Sequence, residues 1–285
     1  MPSERLNRYL ARSGVASRRA ADQLVAEGRV HVNDLLPPPS GMLVDPARDR
    51  VTLDGELVAP RRGHRYLACH KPANVLVTAR DPGGRRTVFD LLPEEARQGR
   101  LFPVGRLDMD SAGLLLLTDD GQLAQRLAHP RYKVAKEYVV IVAGRPDGRD
   151  LRRLRQGVDL EDGRTQPAQV DLVASAQGVS ELRVVISEGR NRQVRRMLDA
   201  VGHPVHELTR TAFGPIRLAR LRPGHVRSLR APELTSLRRA AGLEGPPGSP
   251  PRGQGAGGSH EGGGPRPAGS GGGRLGGHPP VRRRS

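Results

Sequence analysis

Four consecutive leucines, Leu114 to Leu117, stand in the stretch GRLDMDSAGLLLLTDDG (residues 105–121), with Asp108 and Asp110 before them and Asp119 and Asp120 after. A run this apolar belongs in a core, and AGLLLLT has the length of a strand. Carboxylates at both ends leave several readings: a divalent-metal site, a pair of hydrolase carboxylates, a catalytic carboxylate at the end of a buried strand, or a strand between two acidic turns. If the run is a strand, its ends hold the two pairs roughly 25 Å or more apart. They cannot then share one ion, nor act together as a carboxylate pair. Asp119 and Asp120 have a simpler task, because TDDGQLAQRLAHP reads as a helix whose first turn an Asp caps, with His129-Pro130 closing it. Asp108 remains, in the loop VGRLDMDSAG, as either an ordinary loop acid or a reacting group.

The charge balance points toward a polyanion. Lys and Arg total 47 against 30 Asp and Glu, a formal charge of +17, and arginine supplies nearly all of the positive side. A genome that favours Arg over Lys would explain that choice but not the net charge. Arginine suits phosphate forks and stacking on bases. The single cysteine, Cys69, excludes an internal disulfide and fits a cytoplasmic setting. No apolar run has the length of a membrane span, and the N-terminus lacks the apolar core of a secretory signal. With no Trp, four Tyr and three Phe, base-stacking side chains are scarce, so each aromatic in a polar context carries weight.

Three regions separate along the 285 residues. Residues 1–62 read as a small module. Leu6 and Leu10 mark a first helix ending at Gly14. Ser17 caps a second, SRRAADQLVAEG, with Ala20, Ala21, Leu24 and Val25 as its stripe and Gly28 at its stop. RVHVND and DRVTLDGELV supply strands, the latter turning at Asp54-Gly55. Residues 63–242 form the body, with strands in RYLACHK, AGLLLLT, KEYVVIVAG and SELRVVIS and helices in GQLAQRLAH and RQVRRMLDAVG. Strands outnumber helices and do not alternate regularly with them, so an α+β domain with a mainly antiparallel sheet and flanking helices is expected. Residues 243–285 are Gly/Pro-rich with scattered Arg and are expected to be disordered.

RLNRYLARSGVASRRAADQLVAEGRVHVN resembles the small RNA-binding domain shared with ribosomal protein S-four. The resemblance implies an RNA-backbone contact through Ser17, Arg18 and Arg19, with Arg5 and Arg8 on the same polar side. One departure is DLLPPPSG after Asn33, where that domain usually has a tighter Asn-Gly turn.

GRLDMDSAGLLLLTDDG resembles, nearly residue for residue, the signature of the Rsu/Rlu-type ribosomal RNA pseudouridine synthases. RYLACHKPANVLVTARDPGGRRTVFDLLP, HPRYKVAKEYVV and EGRNRQVRRMLDAVGHPVHELTRTAFGPIRL resemble three further segments of that family, with wording closer to its large-subunit members. Asn74 stands where Gly is expected, and Asn tolerates left-handed dihedrals. The resemblance covers residues 3 to about 240. It implies that Asp108 is the essential nucleophile, that Arg195 pairs with it, that the ring of Tyr138 lies against the flipped uracil, and that Arg106 fills the gap the base leaves. Lys71, Lys136, Arg192 and Arg196 are then expected on the RNA, and Asp110 in solvent.

These residues suit that reaction. Forming pseudouridine breaks a C–N bond and rejoins the base through carbon with no change in composition, so no cofactor and no metal are required. One carboxylate can carry it, by attack on the ring or on the anomeric carbon. The target base must leave its stack, and a buried Asp108 stays ionised only beside a cation. In RQVRRMLDAVG the stripe Val194, Met197, Leu198 and Val201 faces the core, with Arg195 at its edge and Arg192 and Arg196 farther out. Cys69, His64 and His70, or His203 and His206, lack metal-site spacing, and no nucleotide-binding glycine motif is present. The expected partner is ribosomal RNA or a ribosomal precursor particle, and the protein is expected to act as a monomer. An RNA-binding assembly factor with an inactive site is the principal alternative, and a metal-dependent nuclease, sensitive to chelators, is a further one.

Overall fold

The leucine run lies inside a broad sheet, and burial on both faces explains why it does not alternate. In the computed structural model, which describes residues 3–60, 63–97 and 100–243, the strand Ala112–Thr118 pairs antiparallel with Tyr66–Lys71 and parallel with Val205–Phe213. Leu115 and Leu117 enter one apolar core with Cys69, Val140 and Leu182. Leu114 and Leu116 enter a second with Tyr66, Ala68 and Phe213. None of the four is more than 2% exposed.

The main path of this sheet runs Gln169–Ala176, Val179–Ile186, Lys136–Ala143, Val205–Phe213, Ala112–Thr118, Tyr66–Lys71, Val226–Ser228. Short strands Ile216–Arg217 and Phe102–Pro103 pair beside it. Its pairings are antiparallel except the one beside the leucine strand, so the α+β, mainly antiparallel architecture holds. Helices Gly148–Gln156 and Gln193–Asp199 bring Leu154, Val194, Met197 and Leu198 to the first core. Helices Gly121–Ala128 and Ala231–Ala240 bring Leu123, Leu127 and Leu237 to the second.

The parallel pairing depends on one glycine. Gly113 faces Arg210 in register at φ 109°, and a Cβ there would lie 2.3 Å from the Arg210 carbonyl oxygen. Only a residue without a side chain lets the two backbones approach this closely. The loop before Gly113 is thereby set against the strand that carries Arg210.

The N-terminal module has its own core of Leu6, Tyr9, Leu10, Ala21, Val25, Val30, Val32, Val44 and Val51. Helices Leu6–Arg12 and Arg18–Ala26 match the expected spans, and Ser17 accepts a hydrogen bond from the Ala20 amide at 3.0 Å. Ala20 itself is exposed, one position off the expected stripe. The departure after Asn33 costs little, because Asn33 and Asp34 take φ 53° and 64° and close a tight turn with Val32 and Leu35 bonded at 2.8 and 3.1 Å. The tail from residue 244 onward, expected to be disordered, lies outside the described residues.

At the far end of the leucine strand the two aspartates divide their work. Asp120 caps the Gly121–Ala128 helix, accepting from Gln122 and Leu123 amides. Asp119 does not cap it. It accepts instead from the Arg65 amide and guanidinium and contacts His64 at 3.1 Å, tying the start of strand Tyr66–Lys71 to the end of the leucine strand.

Candidate active site

The loop Gly105–Ser111 delivers Asp108 from the start of the leucine strand, and it is held from beneath. Lys71 is fully buried, and its ammonium donates to the carbonyls of Ser111 at 2.6 Å, Pro72 at 2.9 Å and Met109 at 3.2 Å. Asn74, at φ 65° as its residue type allows, adds an amide bond to the Met109 carbonyl at 2.7 Å. Burial lowers the Lys71 pKa to about 8, with the charges of Asp110 and Asp108 opposing that shift. This corrects the expectation for Lys71. It is a strut beneath the loop and cannot reach RNA.

Asp108 is partly exposed and lines a cleft of about 380 Å³. Among the described residues its carboxylate has no hydrogen-bond or ion-pair partner. The cleft also collects Arg106, Tyr138, Lys136 and Arg192 from the expected set, together with Arg190, Gln193, Arg210 and Phe213. Arg106 is exposed at its edge, whereas Tyr138 is 7% exposed on the central strand Lys136–Ala143.

The arginines of the Gln193–Asp199 helix do not all take the expected places. Arg195 is buried, but its guanidinium reaches Asp110, at 3.3 Å to the carboxylate and 3.2 Å to the carbonyl, and also bonds the Val205 carbonyl at 3.1 Å. It does not pair with Asp108. Arg192, left-handed at φ 47°, bonds the same Asp110 carboxylate at 3.1 and 3.3 Å. Asp110 is exposed, as expected, but it is paired with both arginines. Partial burial pushes its carboxyl up, yet the Arg192 hydrogen bonds and the two arginine charges outweigh this and leave it below the ordinary range. Arg196 lies away from the cleft, paired with Asp162 at 3.0 Å.

Lys136 also departs from its expected place on the RNA surface. It is 8% exposed, faces the cleft, and its ammonium lies 5.5 Å from the Phe213 ring centre. Burial, then the charge of Arg210, lowers its pKa to about 8 against an opposing pull from Glu188. Arg210 was not anticipated, although its signal is legible. In HELTRTAF it shares the inward face with Leu208 and Ala212, so a charge occupies a core-facing position. In the N-terminal module, Arg5, Arg18 and Arg19 are exposed, and Arg8 is exposed beside Glu4 at 3.3 Å. Among the described residues no cluster of three or more His, Cys, Asp or Glu could hold a metal ion, and no helix is long and apolar enough to cross a membrane.

A module that exposes Arg5, Arg8, Arg18 and Arg19, joined to an α+β domain with a carboxylate among cations in a cleft, has the features of an enzyme acting on a polyanion. Comparison with known proteins narrows that class. Residues 65–200 match the RNA pseudouridylate synthase family and residues 4–34 match the S4 domain. An RNA pseudouridine synthase of Aquifex aeolicus is 43% identical over 245 residues, covering 86% of this chain and 97% of its own. Ribosomal large subunit pseudouridine synthase B of Bacillus subtilis is 40% identical over 240 residues, covering 84% and 97%. A pseudouridylate synthase crystal structure aligns with a TM-score of 0.60 at 28% identity, over 82% of this chain and 99% of that one. The chain belongs to the RNA pseudouridine synthase family.

Proposed function

We propose that this protein isomerises a uridine of large-subunit ribosomal RNA to pseudouridine, with Asp108 as the nucleophile. The observation that carries the reading is the Asp108 carboxylate, unpartnered among the described residues, in a cleft whose other charged lining side chains among the described residues are all basic, with Tyr138 and Phe213 beside them. A nucleophile must have its oxygens free to attack, and among the described residues none of the surrounding cations occupies them. The kinship with the Bacillus subtilis enzyme supports ribosomal RNA as substrate. Residues 1–62 dock the RNA through Arg5, Arg8, Ser17, Arg18 and Arg19, and residues 63–242 carry out the chemistry.

The base leaves its stack and enters the cleft. Tyr138 lies against the uracil ring, and Arg106, at the cleft's edge, fills the space the base has left. Arg195 acts through Asp110, fixing the loop that bears Asp108, while Arg192 and Arg196 face the RNA backbone. The C–N bond breaks, the base turns, and a C–C bond forms to the same sugar carbon. The atoms balance without a cofactor.

Asp108→Asn is expected to fold and to bind the RNA with unchanged affinity while forming no pseudouridine in a purified assay. Product from that variant would overturn the assignment. Mapping pseudouridines in large-subunit ribosomal RNA with and without the protein identifies the position, and identical maps would remove this substrate.

A further inference from the structure

Two cations lie buried at the floor of the cleft, and among the described residues no carboxylate is bonded to them. Lys136 is 8% and Arg210 2% exposed, on neighbouring strands whose residues line the site. Arg210 gives its Nε hydrogen to the Leu114 carbonyl at 2.7 Å, but its Nη2 is buried without a partner. Both charges flank one ring, with the Phe213 centroid 5.5 Å from the Lys136 ammonium and 5.2 Å from the Arg210 guanidinium. The nearby acid, Glu188, is held by the Gln193 amide at 2.6 Å, the Gln166 main-chain amide at 2.9 Å and Arg190 at 3.3 Å. Burying two like charges together is costly unless an anion joins them, and the aromatic face offsets only part of that cost.

We infer that Lys136 and Arg210 form an anion site for the uracil ring, stabilising the negative charge that develops on its carbonyl oxygens as the glycosidic bond breaks. This rests on the pseudouridine reading. When C1′–N1 cleaves, the bonding pair leaves with the base and spreads over N1 and the carbonyl oxygens. Attack of Asp108 on the ring instead forms an enolate and also loads a carbonyl oxygen, so the site serves either route. The anion is then consumed as C5 bonds to C1′, N1 takes a proton from water and C5 returns one. Preorganised cations in a site of low dielectric act most strongly on charge that appears only at this stage. Lys136 thus touches the reacting base and is a catalytic residue, with Arg210 behind it fixing the sign of the field.

The groups facing Lys136 are Arg210 on the next strand, Glu188 after the strand on its other side, and Asp108, Arg106, Arg190 and Arg192 around the cleft. Arginine stays charged throughout the working range, so Lys136 is the member of this pair that alkali can switch off. Its pKa of about 8 sets where. The single-turnover rate on a large-subunit ribosomal RNA transcript is expected to fall as pH rises through about 8. Lys136→Met should lower the plateau rate by about 10²–10³-fold, leave RNA affinity unchanged and flatten that limb to the share that Lys71, also at about 8, contributes through the loop. Lys136→Arg should keep most of the rate and flatten the limb to the same extent, since its charge persists. A wild-type rate that is flat from pH 7 to 9 would overturn the proposal. So would a Lys136→Met loss explained by weaker RNA binding, or a Lys136→Arg variant as slow as the Met one. Absence of pseudouridine with the wild-type protein would instead sink the underlying reading, and the proposal with it.

Discussion

A lysine with no exposed surface needs a reason to be charged, and Lys71 finds it in three carbonyls of its own surroundings, Pro72, Met109 and Ser111. Two of these belong to the loop that presents Asp108. Replacing Lys71 by Met keeps much of the volume and removes every donor. Buried carbonyls that lose a charged partner each forfeit on the order of 1.5–3 kcal/mol. Lys71→Met is therefore expected to cost at least about 3 kcal/mol in urea unfolding. The surviving folded protein should turn over more slowly at unchanged RNA affinity, because the loop is misplaced while the N-terminal module is untouched. A variant as stable and as fast as wild type would show that Asn74 alone holds the loop.

At the scale of elements, the Arg18–Ala26 helix joins a cap to two exposed cations. Ser17→Ala removes the side-chain bond to the Ala20 amide, with an expected loss of about 1 kcal/mol of helix stability. Removing Arg18 and Arg19 together should leave stability unchanged but reduce the slope of log affinity against log salt by about two. An unchanged slope would remove both residues from the RNA contact. This helix was legible in the sequence because cap, apolar spacing and stop are all local, and the leucine strand was legible because total burial leaves a continuous apolar run. Other elements carry weaker marks. The edge strand Gln169–Ala176 buries only Val170, and the Gly148–Gln156 helix places two leucines among four arginines, so neither announces its period. Within the site, the resemblance of their segments to a family signature singled out Asp108 and Tyr138, and both line the cleft. The pairing of Asp110 with Arg192 and Arg195 could not, because it joins residues more than eighty positions apart through a fold the local pattern does not specify.

For the molecule as a whole, the buried ionisable groups shape stability against pH. Of its three lysines, Lys71 and Lys136 are buried, and burial brings each from an ordinary 10.5 to about 8. Between about pH 8 and 10.5 the unfolded chain binds up to two more protons than the folded one, so these groups make stability rise with pH across that window. Cys69 opposes them, since burial pushes its thiol from 9.0 to about 11 and the unfolded chain releases that proton first. Tyr66, raised above 10.0 by burial and then by the Asp120 charge, and Tyr9, raised chiefly by burial, oppose them from about pH 10. On the acid side Glu233, held at about 2 chiefly by hydrogen bonds from Arg227, gives up its contribution as pH falls from 4.5 toward 2. The urea midpoint should therefore climb most steeply between pH 8 and 9, level off near 10 and decline beyond. Lys136→Met should retain only the Lys71 share, about half the initial slope. A midpoint that is flat or falling from pH 7.5 to 9 would mean that the two lysines do not lose their protons early in the folded state, and the alkaline limb expected in catalysis would lose its physical basis with them.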